Sequence, residues 1–357
     1  MASPTTATRL MDEIVSRHNL SDLEKVFHSS ASLQLVVASA EAVSFFDYRR
    51  LDSSSFTVQV SGNRDHYTFY SMTTLPMGQR GRIVFTSSRG KLYIVDGDGV
   101  MIREQTLSDK SLWHVTHAQM DGRTYLFACC ADGTLRVLDE LGELLGTIEM
   151  PGQPLSVDIK RVNGGVKLVA GMQHRNQVFL WDWADMIEKH DASPEAILRG
   201  GTKPAFSTRF VEIGTESWII QGCWDNNVYL YQQRFENSAK VISPSLFLRG
   251  ASPIYPIECI GIEGRSYLFA GTESGEIHVW RLAAEFLRNG KRPDYTVARL
   301  GDRVKCMMTA RIAGQFMLFA GCQNGRLHIF QLDVLEPPRL VTTIEIGKGE
   351  VRGIGFL

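Results

Sequence analysis

Several features that would restrict the function of this chain are missing from its sequence. It has no run of about 18 apolar residues, the length that a transmembrane helix needs. The first residues, MASPTTATRLMDE, lack the apolar core of a secretion signal. The formal net charge is only −1, which gives no electrostatic reason to expect a nucleic acid or an anionic membrane as the main partner. We therefore expect neither membrane insertion nor nucleic-acid binding.

Metal-binding and disulfide patterns are also missing. No CxxC motif or Cys/His cluster has the spacing of a zinc site. The six cysteines all lie inside apolar strand patterns; they are Cys129, Cys130, Cys223, Cys259, Cys306 and Cys322. We interpret them as buried free thiols, which predicts a reducing, cytoplasmic location.

Catalytic motifs are absent as well. There is no G-x-S-x-G nucleophile motif and no phosphate-binding G-x-x-x-x-G-K loop. Asp96–Gly99 (DGDG) has incomplete calcium-loop spacing, and we interpret it as a plain turn. His278 and His328 are better explained by half-buried packing than by a metal pair. Asp158 and Glu258 are expected to be solvated charges facing a central channel rather than an acid–base pair. The sequence thus predicts no enzyme, no cofactor and no metal.

What the sequence does contain is a repeat. Tyr267–Leu282 reads YLFAGTESGEIHVWRL, a short apolar strand, a turn at Ser274-Gly275 and a second strand ending near Trp280. The same pattern returns at a spacing of roughly 40–50 residues, the period of stacked β-sheet blades. The other six copies are Leu35–Asp47, Arg82–Asp96, Tyr125–Asp139, Leu168–Asp182, Trp218–Gln232 and Met317–Gln331.

Each repeat extends to four strands, which we call a to d. In the clearest repeat they are Ile254–Ile262, Tyr267–Thr272, Glu276–Leu282 and Tyr295–Leu300. The c strands carry apolar residues on both faces, as strands stacked between neighbouring sheets require. The b–c turns contain Gly or Asn, which tolerate positive φ. These turns are Arg89-Gly90, Asp132-Gly133, Asp225-Asn226, Ser274-Gly275 and Asn324-Gly325.

The end of the chain predicts how the repeats close into a ring. Leu340–Ile346 fits a last strand d, and Glu350–Leu357 resembles the a strands of other repeats. The first repeat has no convincing strand a. We therefore expect the C-terminal segment to supply it, which leaves no unpaired blade edge. The alternative is that Glu24–Ser29 supplies this strand and that the sequence is a truncated piece of a longer chain.

The sequence pattern of residues 1–30 predicts a helical extension that precedes the repeat domain of residues 31–357. Leu10, Met11, Ile14 and Val15 share one face at the helical period, and Ser21 with Glu24 forms a plausible capping box. This apolar face either packs on the flank of the repeat domain or docks a partner.

From Leu35 to Leu357 the pattern resembles the WD-repeat β-propeller family. The Trp-Asp pair of that family is intact at Trp181-Asp182, and Asp47, Asp96 and Asp139 keep the Asp. The Gly-His dipeptide of the family is absent, so its internal hydrogen-bonded tetrad is not carried over. The resemblance implies an all-β ring of seven four-stranded antiparallel blades. It also implies functions such as large-assembly scaffold, trafficking-coat subunit or bacterial sensor module.

The candidate binding residues lie on the face where the d–a and b–c loops should emerge. Around the ring, the second residue of strand a is Trp113, Leu155, Phe206, Tyr255, Lys305 and Arg352. Trp, Tyr and Arg are enriched at the centres of protein interfaces. We predict a partner-binding surface formed by Trp113, Phe206, Tyr255, Trp224, Lys305 and Arg352. Alternatively, the aromatic side chains plug the channel mouth or pack between blades.

Two long c–d insertions on the opposite face, Ala184–Glu195 and Ala283–Asp294, form a second candidate contact surface.

The function that these observations favour is a non-catalytic interaction scaffold, adaptor or sensor, acting as a subunit of a larger complex with a protein or peptide partner. One alternative is an enzyme or small-ligand sensor with its site at the channel mouth. A third possibility, nucleic-acid binding, would use basic residues that form no contiguous stripe: Arg49-Arg50, Arg80, Arg82 and Lys291-Arg292.

Overall fold

The structure is a computed structural model. It describes residues 33–40, 42–48, 51, 56–59, 68–75, 81–162, 164–173, 177–188, 193–232, 241–283, 289–297, 300–334, 336–347 and 349–357. The predicted helical extension of residues 1–30 lies outside the described residues, as does the alternative first strand at Glu24–Ser29.

The described residues form seven sheets, the blades of a β-propeller, which are antiparallel apart from one short parallel pair in blade 4. Blade 1 contains β1 (Gln34–Ser39), β2 (Ala42–Asp47) and β3 (Phe56–Gln59); blade 2 contains β4 (Phe69–Leu75), β5 (Arg82–Ser87), β6 (Lys91–Asp96) and β7 (Met101–Thr106). Blade 3 contains β8 (Leu112–Met120), β9 (Arg123–Cys130), β10 (Thr134–Asp139) and β11 (Leu144–Glu149). Blade 4 contains β12 (Pro154–Val162), β13 (Gly165–Met172), β14 (Val178–Asp182) and β15 (Ala196–Leu198).

The remaining strands complete the ring. Blade 5 contains β16 (Ala205–Ile213), β17 (Glu216–Cys223), β18 (Asn227–Gln232) and β20 (Leu246–Arg249). Blade 6 contains β21 (Ile254–Ile262), β22 (Arg265–Thr272), β23 (Ile277–Arg281) and β24 (Tyr295–Val297). Blade 7 contains β25 (Val304–Ile312), β26 (Gln315–Cys322), β27 (Arg326–Leu332) and β28 (Arg339–Glu345). The short β19 (Val241–Ile242) joins blade 4 as a fifth strand, and β29 (Val351–Phe356) returns to blade 1.

The ring closes in blade 1, where β29 pairs antiparallel with β1. Gln34 and Leu357 exchange two backbone hydrogen bonds of 3.2 and 3.0 Å at the end of this pairing. The innermost strands also contact one another in a closed cycle, in the order β29, β4, β8, β12, β16, β21 and β25. The prediction that the C-terminal segment supplies the missing strand a of the first repeat is therefore confirmed.

The core lies between blades, as the two-sided apolar c strands predicted. Trp181 of blade 4 is fully buried in a cluster that includes Phe127 and Val137 of blade 3. Trp280 of blade 6 is fully buried against residues of blade 5, including Ile220. Each blade is a thin sheet that buries its faces only against its neighbours, so the ring is the stable unit.

The b–c turns and the d–a loops lie on the same face of the ring, as the backbone hydrogen bonds between them show. In six blades the first residue after β-strand b donates its N–H to the carbonyl just before the innermost strand, at 2.8–3.1 Å. These pairs are Ser88–Thr68, Ala131–Ser111, Gln173–Gln153, Trp224–Pro204, Glu273–Pro253 and Gln323–Arg303. All five predicted turns have a positive φ at their second residue, and Gly325, for example, has φ +80°. We call this side of the ring the loop face.

The two c–d insertions on the opposite side are used within the propeller. The helix α1 (Trp183–Glu188) places the Trp183 ring 5.4 Å from that of Phe127 in blade 3. In the other insertion, the backbone carbonyl of Lys291 accepts a hydrogen bond from the Arg249 N–H at 2.9 Å. The Gly290 N–H donates to the backbone carbonyl of Phe247 at 2.8 Å. The described part of each insertion therefore packs on the preceding blade, and the second contact surface stays a prediction.

Among the described residues, no helix has the length and apolar character that crossing a membrane requires.

Candidate functional site

The predicted site residues share one backbone feature, a β-bulge near the start of each innermost strand. In blade 3, for example, Leu112 pairs with Cys130 and His114 with Cys129, which leaves Trp113 without a partner residue across the sheet. The same interruption recurs in all seven innermost strands. A bulge bends the strand and re-aims a side chain. The residues so placed are Tyr70, Trp113, Leu155, Phe206, Tyr255, Lys305 and Arg352.

Tyr70 is the member of this set that sequence reasoning missed. Its strand, Phe69–Leu75 (FYSMTTL), was not recognised as the strand a of the second repeat. The available signal was its spacing, because it precedes Trp113 by roughly one repeat of 40–50 residues.

Three of the predicted aromatic residues form one cluster on the loop face. The ring centroid of Phe206 lies 5.4 Å from that of Trp224 and 4.9 Å from that of Tyr255. Trp224 and Tyr255 are 6.2 Å apart in an edge-to-face arrangement. Phe206 and Trp224 are half-buried, whereas Tyr255 is only 9% exposed. The cluster therefore joins blades 5 and 6 and keeps two of its three rings partly accessible.

Basic side chains continue this surface into blade 7. The guanidinium carbon of Arg303 lies 4.9 Å from the centre of the Tyr255 ring, and the Lys305 ammonium lies 5.4 Å from it. Both distances are within the range of cation–π attraction. Arg303 also forms an ion pair with Glu273 of the neighbouring b–c turn.

The surface then crosses the closure of the ring. Glu350 accepts an ion pair from Lys305 at 3.5 Å and a closer one from Arg352. The Arg352 guanidinium lies 5.1 Å from the centre of the Tyr70 ring in blade 2. A continuous band of contacts therefore runs from blade 5 through blades 6, 7 and 1 to blade 2. We call it the mouth cluster: Trp224, Phe206, Tyr255, Arg303, Lys305, Glu350, Arg352 and Tyr70.

Of the six predicted site residues, five belong to this band and one does not. Trp113 lies at the equivalent position of blade 3 and is half-buried, but it makes no ring contact with the described residues of the mouth cluster. Sequence reasoning also left out Arg303 and Glu350, because charged residues at loop ends look like ordinary solvated side chains.

Burial changes the acid–base properties of the mouth cluster. The pKa of Lys305 is lowered by burial and by the positive charge of Arg352, while the carboxylate of Glu350 opposes this shift. The pKa of Tyr255 is raised, chiefly by burial. The Tyr255 phenol therefore remains protonated at neutral pH and can act as a hydrogen-bond donor.

Farther along the innermost strands, charged residues make contacts between blades. Arg209 binds Glu258 through two contacts, of 2.9 Å (Nη1–Oε2) and 2.8 Å (Nη2–Oε1). Asp158 accepts hydrogen bonds from the backbone N–H groups of Phe210 at 2.8 Å and Ile159 at 3.0 Å. Asp158 and Glu258 are 9% and 6% exposed, so the expectation that they are solvated charges was wrong. Glu258 pairs with Arg209 of the neighbouring blade, and Asp158 is held by backbone N–H groups, so neither carboxylate depends on solvent.

His114 lies close enough to Arg209 for the positive charge to affect its pKa. Burial and the positive charge of Arg209 lower the pKa of His114 to about 4. Burial raises the pKa of Asp158, and Arg209 opposes that rise.

The two histidines considered for a metal pair each pack within their own blade. His278 accepts a bond from the Ala251 N–H at 3.2 Å and lies 3.3 Å from the Thr296 hydroxyl. Nδ1 of His328 lies 2.9 Å from the hydroxyl of Thr343. In the described part of the chain, no three His, Cys, Asp or Glu residues are grouped as metal ligands.

The Asp96 loop has the geometry of a side-chain-capped turn. Asp96 Oδ1 accepts the N–H groups of Asp98 and Val100 at 3.0 and 2.8 Å. In blade 3, Asp139 Oδ1 accepts two N–H groups in the same way, at 2.9 and 2.8 Å. Because the same turn recurs where no calcium motif exists, its geometry fits the interpretation as a plain turn.

None of the six cysteines forms a disulfide. Four of them are buried as predicted, whereas Cys259 and Cys306 are half-buried. Burial raises the pKa of Cys223 and of Cys322 to about 12, which suits unreactive core thiols.

The basic residues of the nucleic-acid alternative do not form a patch in the described structure. Arg82 donates to the Glu140 carbonyl at 3.1 Å in blade 3, and Lys291 pairs with Asp294 at 2.8 Å in blade 6. Arg49, Arg50 and Arg80 lie outside the described residues.

Comparison with models of known protein families found none that matches this chain, and a search of curated proteins found no significant match. The function is therefore inferred from the fold and from the mouth cluster.

Proposed function

We propose that this chain is a non-catalytic protein-interaction module, a divergent WD-repeat propeller that acts as a scaffold, adaptor or sensor within a larger complex. The observation that carries the proposal is the mouth cluster. It joins aromatic and basic side chains of five blades on the loop face of a closed ring. Propellers often serve as platforms for protein binding, and loops held by a rigid scaffold commonly carry recognition.

The composition of the mouth cluster supports a protein or peptide partner. Tyr, Trp and Arg dominate the energetic centres of protein interfaces. Here Trp224 and Phe206 remain partly accessible beside nearly buried Tyr255. Because the contacts of Tyr255 fix the neighbouring rings, ordering them on binding would cost little conformational entropy.

The alternative, an enzyme or small-ligand sensor at the mouth, would need polar groups that converge on a pocket. The charged groups of the mouth cluster instead follow one another along a band through blades 6, 7 and 1. Arg303 pairs with Glu273, and Lys305 and Arg352 share Glu350. We therefore propose binding rather than catalysis.

The lack of disulfides among the six cysteines also supports a proposal about location. Cysteines that form no disulfide are typical of proteins in reducing compartments. We propose that the chain acts in the cytoplasm.

The experiment is affinity purification of the tagged chain from its native host, with quantitative mass spectrometry. The double variant F206A/W224A removes both accessible rings, and we expect it to lose the specific partners of the wild type. The control double variant, I102A/L145A, removes two exposed apolar side chains from the outer strands of blades 2 and 3. Equal partner recovery by F206A/W224A and the wild type, with both folded, would refute the proposal.

A further inference from the structure

The cations of the mouth cluster outnumber the carboxylates that contact them. Arg303, Lys305 and Arg352 are the three cations, and their ion-pair partners are Glu273 and Glu350 alone among the described residues. Glu350 serves both Lys305 and Arg352, so one carboxylate is divided between two positive charges. One positive charge therefore lacks a full counter-charge at this position.

The environment of these cations increases the need for a further anion. The side chains of Lys305 and Arg352 are only 10% and 18% exposed, so water screens them weakly. The pKa of Lys305 is lowered, first by burial and then by the positive charge of Arg352, even though Glu350 lies close to it. The Nε–H groups of Arg303 and Arg352 are also buried without an acceptor among the described residues. A buried donor without an acceptor is costly, and a ligand oxygen could relieve that cost.

Apolar surface lies directly beside the cations. The Tyr255 ring, which Arg303 and Lys305 approach, stands 4.9 Å from Phe206, and Phe206 continues to Trp224. A ligand at this position would meet a positive region on one side and aromatic faces on the other.

We infer that the mouth cluster binds a peptide segment that presents a carboxylate to Arg303, Lys305 and Arg352, next to an apolar or aromatic residue on Phe206 and Trp224. This inference depends on the proposed function and adds the chemistry of the partner. The carboxylate is either an Asp or Glu side chain or the free C-terminus of the partner. The charge complementarity of the mouth cluster favours this partner over a basic or neutral one.

A positional-scanning library of short synthetic peptides tests the inference on the full chain. Each pool fixes one residue at one position, and the library is made with free and with amidated C-termini. We expect pools with fixed Asp or Glu to bind about tenfold more tightly than pools with fixed Lys or Arg, the size of one favourable close charge pair. Loss of binding on amidation would assign the carboxylate to the C-terminus, and retention would assign it to a side chain.

The variant K305Q removes one charge of the mouth cluster while keeping most of the side-chain length. We expect it to reduce the preference for acidic pools by about tenfold. The matched control is R161Q, which removes a positive charge near the other end of an innermost strand, where Arg161 is 57% exposed and pairs with Asp121. R161Q is expected to bind like the wild type. If K305Q does not fold, the variant R303Q and the salt dependence of wild-type binding provide the same test.

The outcomes separate this inference from the proposed function. Peptide binding that depends on Phe206 but shows neither an acidic preference nor a loss on amidation would overturn the inference and leave the proposed function standing. Absence of any peptide binding would likewise overturn the inference alone, whereas peptide binding and native partner recovery that are both unaffected by F206A/W224A would overturn both. An acidic preference that persists in K305Q and R303Q would place the anion site elsewhere and also overturn the inference.

Discussion

Truncation of Trp181 tests whether contact between blades holds the propeller together. The side chain is fully buried between blades 3 and 4, and its ring stacks on Phe179 at 5.8 Å. W181A removes a large apolar surface and leaves a cavity, which costs about 3–5 kcal/mol when neighbours cannot collapse into it. The cavity should persist because its lining comes from two sheets whose backbones are fixed by their own hydrogen bonds.

Urea unfolding followed by circular dichroism measures this cost. With an m value of about 3 kcal/mol/M, the midpoint should fall by roughly 1 M or more. The control is W113A, because Trp113 is half-buried on the loop face. We expect W113A to cost about 1 kcal/mol, near the average for point mutations. A loss of less than about 1 kcal/mol in W181A, with W113A equally affected, would refute the idea that the core lies between the blades.

Two further predictions concern a turn and a half-buried histidine. A Cβ on Gly325 would lie 2.2 Å from the Gly347 carbonyl oxygen, whereas a Cβ on Gly314 would meet nothing within 4 Å; their φ values are +80° and +82°. G325A should therefore lower the melting temperature more than G314A, and equal shifts would contradict this steric argument. Protonation of His114 should destabilise the fold, because its pKa falls from 6.5 to about 4 on burial. The stability that neutral His114 contributes to the free energy of unfolding is fully present above pH 6.5 and is lost as the pH falls towards 4. H114N should flatten the pH dependence of stability over that range in urea titrations, and an unchanged slope would contradict the prediction.

Much of the fold could be predicted from the sequence because its signals are local and repeated. The apolar columns of the c strands and the Gly or Asn turns occur in almost every repeat, so each copy reinforces the others. Two elements were less visible. Val241–Ile242 pairs parallel with the outer strand of blade 4, and Lys291 binds the outer strand of blade 5. These contacts join different blades through long insertions. They do not recur from repeat to repeat, so no periodic pattern in the sequence reveals them.

The candidate site was predictable in position but not in connectivity. The second residue of strand a could be read from the alignment of repeats, and Phe206, Tyr255, Lys305 and Arg352 were found in this way. That Glu350 would bridge Lys305 and Arg352 could not be read, because it depends on the closure of the ring by β29. The same limitation applies to Arg209, which forms an ion pair with Glu258 of the neighbouring blade.

The pairing of β1 with β29 has a consequence for how the protein reaches its native state in the cell. While a ribosome is still adding the intervening blades, the β1 edge that receives β29 has no native partner strand. Val36 and Val37, fully buried in the finished molecule, would then have to be shielded by some other means. Nascent chains of this protein should consequently be substrates for holding chaperones until β29 emerges from the exit tunnel.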